Sequence, residues 1–455
     1  MSVPSALPAR DGSLQARHSR TQSDWPWAPF SLSSQRSGLT MQIFKTTPLA
    51  GDTLIPALLV SAPFRAAVNS LAQTHDRFIS ELVTLTEIPA PPFKEEVRGR
   101  AYRDMLEAAG LKDVAIDSIG NVTGVRRGKA SDGRMIAVSA HVDTVFPEGT
   151  DVTVRREGFR LSAPGVGDNT RGLAAILAYL RALDAVGMET RDDILVLASV
   201  GEEGEGDLRG MRHFFANSAY RGRIAALICL DGPTPADTIV SAGTGSKRYR
   251  VTFRGPGGHS FADHGIVNPM IAAARAVVEL GRLSLPDDPK TTCSSTVIKG
   301  GSSVNAIPAE VSLMVDLRSN SASELVDLDT RFRQIVLQSC HVENDSRSIE
   351  KGSIAVEIVL IGDRPAGFTT DGELTRSAAA AIAAIGQTPV FSSFSTDANV
   401  AMSLGVPAVT LSWGGKGGDA HTLGEWTDVD PATTLPEMSV GLAVLLACAG
   451  ADILK

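Results

Sequence analysis

Two histidines and several carboxylates lie in short polar or glycine-rich stretches, most of them directly after an apolar run. His141 and Asp143 are two positions apart in "SAHVDTVF", and Asp168 lies in "GVGDNTRG". Glu202 and Glu203 are adjacent in "GEEGEG", Asp231 follows "ALICL", and His421 lies in "GGDAHT", beyond "PAVTLSW". Imidazole nitrogens and carboxylate oxygens suit zinc, and two His with three carboxylates are a donor set for two ions sharing a carboxylate bridge. Each residue also has a plainer reading. A His near a strand end can be a core residue, a Glu-Glu pair a solvated turn, an Asp after a strand a helix cap, and an Asp among glycines a turn. What these positions share is an address: most follow the carboxyl end of an expected strand, the edge at which open α/β sheets bind ligands.

The elements that must hold these residues are readable from periodicity. "VRGRAYRDMLEAAG" reads as an amphipathic helix closed by Gly110, and "GLAAILAYLRALDAVG" (172–187) as another helix. "MIAVSA" (135–140), "DILVLASV" (193–200) and "IAALICL" (224–230) are continuous apolar runs, the pattern of parallel strands covered on both faces. This is a layered α/β unit. From about residue 245 the pattern changes. "KRYRVTFRG" (247–255) alternates polar and apolar, a helix is expected over 268–283, and "SSTVIKG" and "AEVSLMVDLR" read as strands. A second helix near 322–339 and a strand, "AVEIVLIG" (355–362), complete the ferredoxin-like order strand–helix–strand–strand–helix–strand. The layered pattern then resumes with "GELTRSAAAAIAAIG", "PAVTLSW" and a helix over 437–449. The expected organisation is an α/β catalytic domain (41–244 and 363–455) with an α+β domain (245–362) inserted in it.

The bulk properties bound the function. A chain of 455 residues exceeds what one core usually organises. Its formal charge of −8 argues against a nucleic-acid partner. No apolar run in the sequence approaches the roughly 18 residues of a membrane span, so no membrane partner is expected. Cys229, Cys293, Cys340 and Cys448 lack CxxC spacing, which suits reduced thiols and a cytoplasmic location. Residues 1–40, rich in Ser, Arg, Gln and Pro, read as a disordered extension, or as lying upstream of a true start at Met41.

In their order and spacing, "HVDTV", "GVGDNTRGLAAIL", "GEEGEG", "LDG", "GGHS" and "AHT" resemble one family. It is the zinc-dependent exopeptidase and deacylase family of acetylornithine deacetylase, succinyl-diaminopimelate desuccinylase, aminoacylase, glutamate carboxypeptidase and peptidase T. The resemblance covers roughly residues 75–455. "STDANVAMSLGVPAV" followed by "AHTLGEW" looks most like the peptidase T-like branch. It implies a di-zinc catalytic domain with a ferredoxin-like lid or dimerisation domain, two zinc ions per subunit (Co2+ or Mn2+ possible substitutes), and a homodimer formed through the insert. Carried over residue by residue, His141 and Asp231 would bind one zinc, Glu203 and His421 the other, and Asp168 both. Asp143 would accept the second imidazole N–H of His141, and Glu202 would be the general base. His259 in "PGGHSF" would donate to the oxyanion, in dimeric relatives to that of the neighbouring subunit. Asn305 and Arg318 would contact substrate, Arg318 through a substrate carboxylate, and Thr396 and Asp397 would lie on a substrate-facing loop. The implied activity is hydrolysis of di- or tripeptides from one end. N-acyl-amino-acid deacylation and glutamate-carboxypeptidase-type hydrolysis are the nearest alternatives, and a non-catalytic zinc protein a more distant one. His18, His75, His213, His264 and His341 receive no role.

Overall fold

The computed structural model describes residues 51–452 apart from 131 and 371. The expected disordered extension at 1–40 lies outside the described residues, as does His18. Among the described residues the strands form a nine-stranded sheet, two sheets of four strands and one two-stranded pair.

The apolar runs build the centre of the large sheet. Met135–His141 pairs in parallel with Asp193–Ser199 on one side and with Ile224–Leu230 on the other, and Ala408–Leu411 continues the parallel set beyond Ile224–Leu230. Every residue of Met135–His141 and Asp193–Ser199 is buried, as strands covered on both faces must be. Antiparallel strands flank this centre: Val122–Arg126 beside Asp193–Ser199, and Thr238–Gly243 beside Ala408–Leu411.

Helices Thr170–Ala185 and Pro431–Ala449 supply much of the main core, where Leu173, Leu177, Leu442 and Leu446 are buried. Gly172 explains how closely the first of these approaches the sheet. A Cβ there would lie 2.9 Å from the Ala140 side chain and 2.8 Å from the Leu230 carbonyl oxygen. The last helix begins at Pro431, earlier than the expected 437, because Asp430 caps it through the Ala432 N–H and Pro431 occupies the first turn, where a missing N–H costs nothing. Pro436 is thus inside the helix and does not mark its start. Contrary to the expectation that no run reaches the length of a span, this helix is long and apolar enough by composition to cross a membrane, but 72% of its apolar window is buried within the protein. The segment "LIPALLV" lies in helix Gly51–Val60, with Ile55 and Leu58 fully buried.

Residues 245–364 form their own sheet and core. The strand order is Thr291–Gly300, Glu310–Ser319, Gly245–Arg254, Ala355–Arg364, all antiparallel, which is the ferredoxin-like arrangement. Helices Pro269–Gly281 and Ala322–Ser346 cover one face, against Tyr249, Val251, Phe253, Leu313 and Val315. The other face carries the alternate residues, among them Arg248, Arg250, Arg254, Glu310, Asp316 and Arg318. The final strand runs two residues past the expected end at 362, and the second of these, Arg364, reaches the site described next.

Candidate metal centre

The chain leaves the parallel strands at one edge of the large sheet, and the candidate residues collect there. His141 is the last residue of its strand, Asp231 directly follows Leu230, and Glu202 and Glu203 lie just beyond Ser199. Gly201, with φ +64, makes the turn between them. Asp168 precedes helix Thr170–Ala185, and His421 comes from the long loop after Ala408–Leu411.

Asp168 is the common member. Its Oδ1 is 2.9 Å from His141 Nε2, and its Oδ2 is 3.2 Å from His421 Nε2. Asp231 Oδ1 lies 3.5 Å from His141 Nε2, and Glu203 Oε1 lies 2.8 Å from His421 Nε2. The groups His141/Asp168/Asp231 and Asp168/Glu203/His421 each bring their ligand atoms within 4.8 Å of one another. His141, Glu202 and Glu203 meet the same criterion. The donors are nitrogen and carboxylate oxygen throughout, the chemistry of a zinc, cobalt or manganese site, and Asp168 belongs to both of the groups that contain it. Hydrogen bonds to Asp168 and Glu203 raise the His421 pKa to about 10. Burial disfavours the charged form of His141, but its contacts with Asp143, Asp168 and Asp231 outweigh it and push the pKa well up.

Asp143 meets His141 through both its main chain and its side chain. His141 Nδ1 is 3.0 Å from the Asp143 backbone carbonyl but 3.6 Å from its carboxylate. The carboxylate also accepts the Glu202 N–H at 3.0 Å and the Glu203 N–H at 2.9 Å. Asp143 therefore orients His141 mainly through its main chain and holds the Glu202–Glu203 turn with its side chain.

Three supporting residues were not read from the sequence. Arg364 donates from Nη1 to Glu202 Oε1 at 3.1 Å and from Nη2 to the Glu202 carbonyl, both side chains being 6% exposed. Burial raises the Glu202 carboxyl well above its ordinary range against the opposing pull of Arg364. Glu425 accepts the N–H groups of Gly165, Gly167 and Asp168 at 2.8–2.9 Å, which fixes the loop that presents Asp168. Arg98, fully buried, donates to the carbonyls of Thr86, Ile88 and Val142, the last lying between His141 and Asp143. Glu425 lies in "AHTLGEW", four residues after His421. Arg98 and Arg364 carry no comparable local signal.

The remaining candidates lie elsewhere. His259 is exposed on the insert, its Nδ1 accepting from the Phe261 and Ala262 N–H groups. Asn305 is next to it, its carbonyl accepting from the Ser260 N–H. Arg318, 40% exposed, donates from Nε to Asp316 Oδ2 at 2.7 Å. Thr396 and Asp397 do not form a substrate-facing surface. Both are buried, Thr396 bonded to Thr410 and Asp397 to Ser199, because they open helix Ala398–Ser403 beneath the sheet edge. His75 is tied to the Val429 carbonyl, and His213 contacts Ser118 and Asn217.

The family described as Peptidase family M20/M25/M40 matches residues 137–449. Succinyl-diaminopimelate desuccinylase of Nitrosomonas eutropha is 27% identical over 247 residues, 51% of this chain and 65% of that protein. Carboxypeptidase G2 of a Pseudomonas species is 30% identical over 204 residues, 44% of this chain and 47% of that protein. The match thus spans less than two thirds of either relative. Among solved structures, aminopeptidase PepT from Bacillus cereus superposes with a TM-score of 0.67 at 22% identity, covering 82% of this chain and 99% of that one. A Bacillus subtilis protein described as a dinuclear metal binding peptidase gives 0.61 at 18% identity, covering 83% and 99%. At these identities the solved structures speak for the fold.

Proposed function

The chain belongs to peptidase family M20/M25/M40, and from that membership we propose that it is a di-zinc exopeptidase hydrolysing the amide bond of short peptides. The observation that carries this is the single carboxylate, Asp168, offering one oxygen to each histidine, with Glu202 beside the group and held by Arg364. His141, Asp168 and Asp231 would hold one ion, and Asp168, Glu203 and His421 the other. Bound there, zinc supplies Lewis-acid polarisation and lowers the pKa of a water towards about 7. Glu202 accepts the proton of the attacking water at its carboxylate and returns it to the leaving amine. Arg364 fixes Glu202 for both transfers.

The peptide reading is supported by the likeness to the PepT structure and to a Staphylococcus aureus tripeptidase, which superposes with a TM-score of 0.67. It is also supported by Arg318, whose partly exposed guanidinium can pair a substrate carboxylate through its planar fork. The test compares di- and tripeptides carrying a free C-terminus with their C-terminal amides. The free acids should be cleaved at least about tenfold faster, a modest share of what a charge-assisted pair contributes, and Arg318→Ala should narrow the gap by harming the acids. Equal turnover of both forms, or internal cleavage of long chains, would sink the assignment. The desuccinylase relatives favour a second reading, N-acyl-amino-acid deacylation. Faster turnover of acylated amino acids than of any peptide would establish it.

His259 acts, in this proposal, on the site of a second copy in a homodimer formed through the insert, because within one chain it is exposed and touches none of the metal-centre residues in any hydrogen bond or ion pair among the described residues. Mixing inactive His259→Ala and Glu202→Ala subunits should then restore activity through hybrids with one intact site. No recovery after verified subunit exchange would place the action of His259 within its own chain. The unpaired cysteines, Cys229, Cys293, Cys340 and Cys448, support a cytoplasmic location, and periplasmic or extracellular recovery on cell fractionation would contradict it.

A further inference from the structure

The open face of the insert's sheet meets the metal centre with more cations than anions. Its register places Arg364, Ser246 and Arg318 in one cross-strand row, and Gly362, Arg248 and Asp316 in the next. Arg364 is committed to Glu202. Arg318 takes Asp316 Oδ2 at 2.7 Å through Nε. Among the described residues Arg248 has no carboxylate at hydrogen-bond distance. Its Nε is 3.7 Å from Asp316 Oδ1, an atom that is buried and lacks any hydrogen bond among the described residues, and its Nη1 is 3.3 Å from the Gly204 carbonyl, one residue from Glu203. Asp207 lies nearby, but its oxygens accept the Asp363 N–H and pair with Arg212.

The position of Arg248 is built into the strands. A Cβ on Gly362 of the neighbouring strand would lie 3.3 Å from Arg248 Cδ, so glycine gives the arginine room to lie across that strand. Between Arg364 and Arg318, Ser246 is fully buried with a hydroxyl that has no partner among the described residues. Burial and the neighbouring Arg364 and Arg318 depress the Arg248 pKa despite Asp316 and Asp207, as expected where guanidinium groups crowd without enough counter-charge. Arg318 gives its Nε to Asp316 and Arg248 gives Nη1 to the Gly204 carbonyl, so among the described residues each keeps its Nη2 hydrogens for a planar anion.

We propose that Arg248 forms a second carboxylate subsite next to the metal centre, so that the preferred substrates carry two carboxylates, one for Arg318 and one for Arg248. The inference rests on the exopeptidase reading for the first carboxylate and goes beyond it for the second. The second carboxylate has two chemical sources: an acidic C-terminal residue, or a dicarboxylic acyl group on the amino side.

The experiment uses the full chain loaded with zinc and two matched substrate pairs. One pair is a dipeptide ending in Glu against the same dipeptide ending in Gln, and the other is an N-succinyl against an N-butyryl amino acid. The dicarboxylate member of at least one pair should be favoured about tenfold or more in kcat/KM, a change equivalent to 1.4 kcal/mol. Arg248→Met should bring that ratio close to one, chiefly by raising KM for the dicarboxylate, and Arg248→Lys should keep part of the preference. The pair that responds identifies the source. Ratios near one in both pairs, or a preference that survives Arg248→Met in a protein with unchanged melting temperature, would overturn the subsite. Glutarate against butyrate in a thermal-shift titration reads the same site without turnover, with glutarate alone raising the melting temperature of wild type and losing that effect in Arg248→Met. If C-terminal amides are cleaved as fast as acids while glutarate still binds through Arg248, the exopeptidase reading fails and the subsite stands.

Discussion

Glu202→Gln is expected to lower kcat by about 10²–10⁴, the usual contribution of a positioned proton acceptor, while two metal ions per chain remain bound. Glutamine keeps the shape, and its Oε1 can still accept from Arg364 Nη1, which lies 3.1 Å from the native oxygen. It cannot take a proton from water. The alanine variant should behave differently in one respect. Both variants remove the charge that faces Arg364, but with both partners 6% exposed alanine also takes away a buried hydrogen-bond acceptor of Nη1 and leaves a void, a further loss of about 1–3 kcal/mol. Glu202→Ala should therefore melt clearly below both wild type and Glu202→Gln. Metal content by elemental analysis, single-turnover rates and melting curves separate the two effects. A fully metallated Glu202→Gln protein with near-native turnover would remove the assigned base.

Asp168→Ala is expected to abolish activity by emptying both metal positions, whereas His421→Ala should empty one. The two Asp168 oxygens face different histidines, at 2.9 Å and 3.2 Å, so its loss takes a donor from each candidate group at once. His421 belongs to one group alone, and His141 with Asp168 and Asp231 would still offer three donors to the other ion. Supporting interactions of a bound metal are typically worth about 10–100-fold in affinity, and a direct ligand shared by two ions should exceed that for each. Metal stoichiometry after gel filtration in metal-free buffer checks the prediction. Two ions retained by Asp168→Ala would show that the bridging position belongs to another residue.

Much of this site was legible because its residues are defined by where strands end. Continuous apolar runs announced Met135–His141, Asp193–Ser199 and Ile224–Leu230, and His141, Glu202, Glu203 and Asp231 stand at or just after their last residues. A strand brings its ends to fixed edges, so a residue's place along the chain becomes a place in space. The ferredoxin-like order of the insert was legible for the same reason, since alternation over 247–255 and helical period over 268–283 are local properties of the chain.

What the chain alone determined was which donors stand at one sheet edge and in what order. Which donor meets which partner was decided by tertiary structure. Arg364 meets Glu202 across 162 positions, and Glu425 meets the Asp168 N–H across 257. Asp143 gives its carboxylate to the Glu202 and Glu203 N–H groups more than to His141, and Thr396 and Asp397 turn inward. Hydrogen-bonding capacity is a property of a residue type, but a buried polar group takes whichever complementary group the packing leaves within about 3 Å. That choice is made by loops and strand ends brought together from distant parts of the chain, and no local period encodes it.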